Sequence, residues 1–199
     1  MTIATYSELK TEVADFSHRT DLTAKMDTFC LLAEAVINKD LRSLEMEKRL
    51  ATSFDDAFYD LPSDYLALRQ ILIETDGARL PLPIVTPQLL SERYAYSQST
   101  LSAGAIHGGQ IELRPAPTVA APITGEITYY ARIPTLVTNS TNDILTAYPM
   151  IYLSAMLIQV YLYLQDSEET ATWTSAYNSQ ILQANKQGGR NVLPQVRVA

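Results

Sequence analysis

One cysteine, two histidines and seven glycines are all that 199 residues offer of the side chains that most often build redox centres, metal sites and phosphate-cradling loops. The single Cys30 rules out an internal disulfide framework and points to a reducing compartment, so synthesis in the cytoplasm is expected. No H-E-x-x-H, no paired cysteines, no Gly-rich phosphate loop and no G-x-S-x-G nucleophile elbow can be found, and neither a metal nor a cofactor is expected. Basic charge is also scarce, with 15 Lys and Arg against 22 Asp and Glu. A net charge of −7 speaks against broad binding to nucleic-acid backbones, which depends on clustered cations. Long apolar runs are missing too. The longest, Met150–Leu164, is interrupted by Ser154 and Gln159 and falls short of the ~20 residues a membrane span needs. The start, MTIATYSELKTEV, has neither a basic cluster nor an apolar block, so no secretory signal is expected.

Three local matches to chemical motifs have simpler readings. Ser7-Glu8-Leu9-Lys10 fits S-x-x-K, but its companion motifs are missing and Thr5-x-x-Glu8 reads as a capping box. Asp55, Asp56 and Asp60 lack the spacing of a calcium loop and sit beside a turn. His107-Gly108-Gly109 is similar to an esterase oxyanion loop, yet no nucleophile accompanies it.

What is present is an ordinary globular composition, 47% hydrophobic and 19% charged, long enough for a real core. The middle is extended. Ile111 and Leu113 alternate with Glu112 and Arg114, and Ile127, Tyr129, Ala131 and Ile133 alternate with polar neighbours, the pattern of half-buried antiparallel strands. These two strands are expected to pair as a hairpin, the first opened by Gly108-Gly109 and closed by Pro115 and Pro117. Asp76-Gly77, between Ile71-Leu72-Ile73 and Leu80-Pro81-Leu82, predicts a two-residue hairpin because both turn positions favour positive φ. Residues 87–104 read as a short helix or an irregular crossover.

Helices are expected on either side. Tyr6, Leu9, Val13 and Phe16 define a short one ending near Ser17. Asp21 is placed as the cap of a longer one to about Met46, with Leu22, Met26, Phe29, Ala33, Val36, Ile37, Leu41 and Leu44 as its stripe. Pro149 opens an apolar helix, Ile151–Leu164, and Asp166-Ser167-Glu168-Glu169 caps a last one that Gly188-Gly189 should stop. Trp173, Tyr177, Ile181 and Ala184 share a face of that helix. Trp173 is expected to be a buried anchor against Ile151–Leu164. The fold class is therefore α+β and mainly helical: a helical bundle (1–60 and 143–187) with an inserted antiparallel β-rich domain (61–142) and an extended C-terminal tail (188–199).

The order of these features resembles the head-to-tail adaptor proteins of tailed bacteriophages. It is carried by Tyr6-x-x-Leu9, the long second helix with Glu34 and Arg42, Leu61-Pro62-x-Asp64-Tyr65, the Gly109–Pro117 strand, Ile127-Thr-Tyr-Tyr130 and Ile133-Pro134. It continues through Asn142-x-x-Leu145 ahead of a proline and a tyrosine-rich helix, and ends with Trp173. Met150 stands where adaptors often have aspartate. The resemblance implies a virion protein of the neck and no enzyme: a ring of about twelve copies, docked on the portal protein and joined to tail or nozzle proteins, with DNA passing through its lumen. The alternatives are a tail-completion protein one layer lower, or a carbohydrate-binding or receptor-binding module using some of its 12 tyrosines. Contact with the portal or a neighbouring subunit is assigned to the tail, through Arg190, Val192, Leu193, Pro194, Val196, Arg197 and Val198. The last twelve residues carry two arginines and no carboxylate side chain.

Overall fold

The computed structural model describes residues 3–94 and 101–190, which form an α+β fold of helices and antiparallel sheet. The chain divides into two compact units, one of residues 1–46 with 132–199 and one of residues 47–131.

The first unit is helical. α1 (Tyr6–Ser17) opens on the expected capping box: Thr5 Oγ1 accepts from Glu8 N–H, and Glu8 Oε2 accepts from Thr5 N–H at 3.0 Å. It stops at His18, which takes the left-handed conformation at φ 52°. α2 (Met26–Asp40) is shorter than predicted at both ends. Asp21 does not cap it; Arg19 holds that carboxylate with two 2.7 Å bonds, and a single 3-10 turn, Thr23–Lys25, leads into the helix instead. At the far end Leu41 turns extended, so Leu44 leaves the stripe and is exposed.

α4 (Asp143–Ala147) is capped by Asn142, and α5 (Pro149–Leu164) begins at its proline, which donates no N–H where none is needed. Ile151 to Leu157 are all buried, because α5 packs against α1, α2 and α6 (Ser167–Arg190). Asp166 Oδ1 accepts from Glu169 N–H at 3.1 Å and starts α6 as predicted. Two expectations for α6 need correction. Gly188 and Gly189 do not stop it, since the helix continues to Arg190. Gly188 is there for close approach: a Cβ on it would lie 2.9 Å from the Arg42 carbonyl oxygen. Trp173 is only partly buried, and its ring stands edge-on to Phe16 of α1 with centroids 5.6 Å apart.

The second unit holds two antiparallel sheets. Its first strand, β1 (Glu47–Phe54), lies within residues 1–60, which were expected to be helical. Leu50, Thr52 and Phe54 alternate with exposed Arg49, Ala51 and Ser53, a pattern muted because Thr52 is polar. β2 (Phe58–Asp60), β3 (Tyr65–Thr75), β4 (Ala78–Pro81), α3 (Pro87–Arg93), β5 (Ala103–His107), β6 (Gln110–Arg114) and β7 (Ile123–Ala131) follow. The sheets have the orders β1-β7-β3-β4 and β2-β6-β5. Asp76 and Gly77, at φ 51° and 76°, turn β3 into β4 as expected.

The hairpin expected between the Ile111 and Ile127 strands does not form. Gly108, at φ 58°, lies in a two-residue turn that pairs β6 with β5, His107 opposite Gln110. β2 takes the other edge of β6, and β7 joins the larger sheet between β1 and β3. Ile111 and Leu113 still meet Phe54, Ile71 and Ile127, but across the interface of two sheets.

Gly125 fixes that core. A Cβ there would lie 2.7 Å from both the Leu72 carbonyl oxygen and the Phe54 ring. Gly125→Ala is expected to lower stability by about 1–3 kcal/mol, read as a reduced urea midpoint at unchanged slope. Gly109→Ala, with nothing within 4 Å of the added carbon, serves as the near-neutral control.

Candidate interaction surfaces

The densest polar cluster ties the segment that follows β7 onto α2. Glu34 is 5% exposed, and its Oε1 accepts from Leu136 N–H at 2.7 Å and Tyr152 Oη at 3.4 Å, with Cys30 Sγ at 3.7 Å. One turn on, Asn38 Oδ1 accepts from Ile133 N–H at 3.0 Å. Asn142 uses both ends of its amide: Nδ2 donates to Pro134 O at 2.8 Å and to Tyr152 Oη at 2.7 Å, and Oδ1 caps α4 through Leu145 N–H. Backbone N–H groups in an irregular segment have no helical partner, and buried side-chain acceptors supply one. Asn185 does the same at the end of α2, accepting from Arg42 N–H at 2.8 Å and donating to Asp40 O at 2.9 Å. The sequence does not single out Asn38 and Asn185; an amide inside a helix carries no local sign of a partner 95 or 143 residues away.

Burial moves the acids around this cluster in one direction. It raises the Tyr152 phenol, with the Glu34 charge adding to it, and pushes the Cys30 thiol up to about 12. Tyr177 is raised by burial and by Asp40, whose carboxylate accepts its hydroxyl at 3.2 Å. Tyr6 is raised by burial and by Asp27 at 2.8 Å. A thiol held protonated in this way is a packed side chain and a poor nucleophile.

Two outer helix faces carry little charge. On α2, Leu31 and Leu32 are 50% and 49% exposed, flanked by exposed Thr28 and Ala35. On α6, the exposed positions Thr172, Ser175, Asn178, Ser179 and Leu182 are all uncharged. A cavity of about 310 Å³ lies at the corner of α5 and α6, lined by Tyr161, Leu162, Gln165, Thr170 and Ala171 among others.

Charges in the second unit are paired across its sheets. Glu112 lies between His107 Nε2 at 2.9 Å and Arg114 at 2.7 Å, and Glu126 faces Arg79 at 3.5 Å and Arg49 at 3.9 Å. Lys48 binds Asp64 at 2.6 Å, and Tyr129 donates to the other oxygen of that carboxylate. His107 therefore faces a carboxylate, and His18 is an exposed helix cap. No group of three or more His, Cys, Asp and Glu among the described residues could hold a metal ion. None of the described helices is long and apolar enough to cross a membrane. Of the contact residues predicted in the tail, Arg190 is the last residue of α6, and Val192, Leu193, Pro194, Val196, Arg197 and Val198 lie outside the described residues.

In comparison with known proteins, the family model described as SU10 adaptor protein matches residues 4–199. No curated protein matches the chain.

The Glu34 cluster yields two expectations. Glu34→Leu leaves the Leu136 N–H and the Tyr152 hydroxyl without that acceptor and should cost about 2–4 kcal/mol in chemical denaturation, while Leu31→Ala on the same helix should cost under about 1. The second concerns pH. Cys30, Tyr6, Tyr152 and Tyr177 all keep their protons longer in the fold than their ordinary values of 9.0 and 10.0 allow. Their contribution is complete below those values and is lost as pH rises, because the unfolded chain then ionises first. Thermal midpoints should be flat from neutral to about pH 9 and fall beyond it, with a shallower fall in Tyr177→Phe.

Proposed function

The chain belongs to the SU10 adaptor protein family, and on that premise we propose that it is a structural protein of a tailed-phage virion, the adaptor that connects head to tail. In this reading about twelve copies close into a ring beneath the portal protein, tail or nozzle proteins attach below, and DNA crosses the lumen during ejection. The observation that carries it is the family match across residues 4–199. The residues of the resemblance support it: Glu34 shares Tyr152 with Asn142, which bonds Pro134 and Leu145, and Arg42 and Ile133 both bond Asn38 one turn on.

The helical section is read as a bundle and residues 47–131 as a β-rich insertion within it, whose strands begin earlier than residue 61. A net charge of −7 suits a channel wall that must let DNA slide, because clustered cations would hold the phosphates. The role is architectural, with no catalysis and no sequence-specific nucleic-acid binding. Contact with the portal or a neighbouring copy is assigned to the last residues, Arg190 through Val198. Their apolar side chains have no covering neighbours in sequence, and their two arginines suit an acidic surface.

Electron microscopy of the chain mixed with its portal protein provides the test, comparing the full chain with one ending at Gln187. The full chain is expected to form a ring on the portal and the truncated one to bind at least about tenfold more weakly. Equal assembly by both chains removes the role of the last residues, and failure of the full chain to bind any portal removes the adaptor reading.

A further inference from the structure

We propose that, in the ring read above, the outer face of α2 in one copy docks antiparallel onto the outer face of α6 in a second copy. The inference rests on that ring reading and adds the surface that closes it.

The buried positions of α2, Met26, Phe29, Cys30, Ala33, Glu34 and Ile37, mark its inner side. Leu31 and Leu32 lie on the other side, adjacent and half exposed, between exposed Thr28 and Ala35. Two neighbouring leucines on a solvent-facing side lower the cost of bringing up a partner. α6 offers a matching face within the same unit. From Thr170 to Arg190 it contains no carboxylate, in a chain that carries 22 of them, and Asn178, Ser179 and Leu182 are exposed at its centre. Depletion of charge is what distinguishes the core of a protein interface from the rest of a surface. Neutral groups also cost less to desolvate than ions.

The ends of the two faces select the direction. On α2 the exposed charges run from Asp27, whose Oδ1 accepts from Tyr6 and faces Lys10 at 3.9 Å while the carboxylate stays largely exposed, to Lys39, and on α6 from Glu168 to Lys186. Antiparallel docking sets Asp27 beside Lys186 and Lys39 beside Glu168, whereas parallel docking sets like charges together. The two spans are about 18 Å and about 27 Å along the helix axes, and the long lysine side chains take up the difference. Centred in that way, Leu31 and Leu32 rest on Asn178 and Ser179, one turn from Leu182. A contact between two different faces is head-to-tail, the kind that builds a ring when its rotation closes and a filament when it does not. The face of α2 could also meet its own copy antiparallel, Asp27 against Lys39, but that contact is complete after two copies, and the charge-free face of α6 stays uncovered.

The full chain carrying Leu31→Cys and Ser179→Cys, assembled and then mildly oxidised, tests the contact, with electron microscopy reporting rings and denaturing gels reporting cross-links. Cys30 is buried, so the unaltered chain is the control. The expected result is a ladder of disulfide-linked species beyond the dimer, absent from either single cysteine variant. In parallel, Leu31→Glu with Leu32→Glu, and separately Ser179→Glu with Leu182→Glu, should each weaken assembly about tenfold or more. Mixed one to one, these two variants should give a dimer, because each retains the face the other has lost. Rings without the ladder overturn this contact and leave the ring reading intact, and so do cross-linked dimers from Leu31→Cys alone, which show α2 meeting itself. A chain that stays monomeric at every concentration and on the portal overturns the ring reading and this inference together.

Discussion

A carboxylate with 5% of its surface exposed is an expensive thing to place between helices, and Glu34 is tolerable only because backbone and side-chain donors surround it. Leu136 N–H, the Tyr152 hydroxyl and the Cys30 thiol converge on one oxygen. Their positions depend in turn on α2, α5 and the segment between β7 and α4. Taking away one partner leaves the others unsatisfied in a poorly hydrated place, so these elements are held as a set. A hydrophobic core alone would leave sliding freedom between α2 and α5. Directional bonds from Glu34, Asn38 and Asn142 remove it.

Around that fixed point the rest of the helical unit is arranged by ordinary burial. α5 has few polar side chains and is covered by α1, α2 and α6. Its partners can then be amphipathic and keep their outward faces for other surfaces. Asp40 and Asn185 repeat the device at the far end of α2, and Gly188 lets α6 come within van der Waals reach of the Arg42 carbonyl. In the β unit the corresponding constraint is steric, with Gly125 giving up its side chain to the Phe54 ring.

Local signals in the sequence were legible where the physics is local. The Thr5–Glu8 box, Pro149 at the start of α5, the Asp166 cap and the Asp76-Gly77 turn each involve residues a few positions apart, and each formed as read. Errors arose where a distant partner decided the outcome. Ile111 and Ile127 alternate alike, but periodicity does not say which strand pairs with which, and the Gly108-Gly109 turn had already committed β6 to β5. Gly188 looks like a stop signal until Arg42 is seen beside it. The outer face of α2 was hidden for a different reason. Leu31 and Leu32 sit next to the buried stripe in sequence, and nothing local distinguishes a leucine that packs inward from one that waits for another surface.

The Glu34 cluster also sets an order in time. α1 and α2 leave the ribosome well before the segment from Ile133 to Asn142 and before α5, with about 110 residues between the end of α2 and the start of α5. At a synthesis rate of roughly 5–20 residues per second, Met26, Phe29 and Ile37 wait on the order of 5–20 s for the helix that covers them. Glu34 spends that interval without the Leu136 and Tyr152 donors that later surround it. The cluster that fixes the packing is therefore completed late, and the helical unit cannot close on itself until most of the polypeptide has been made.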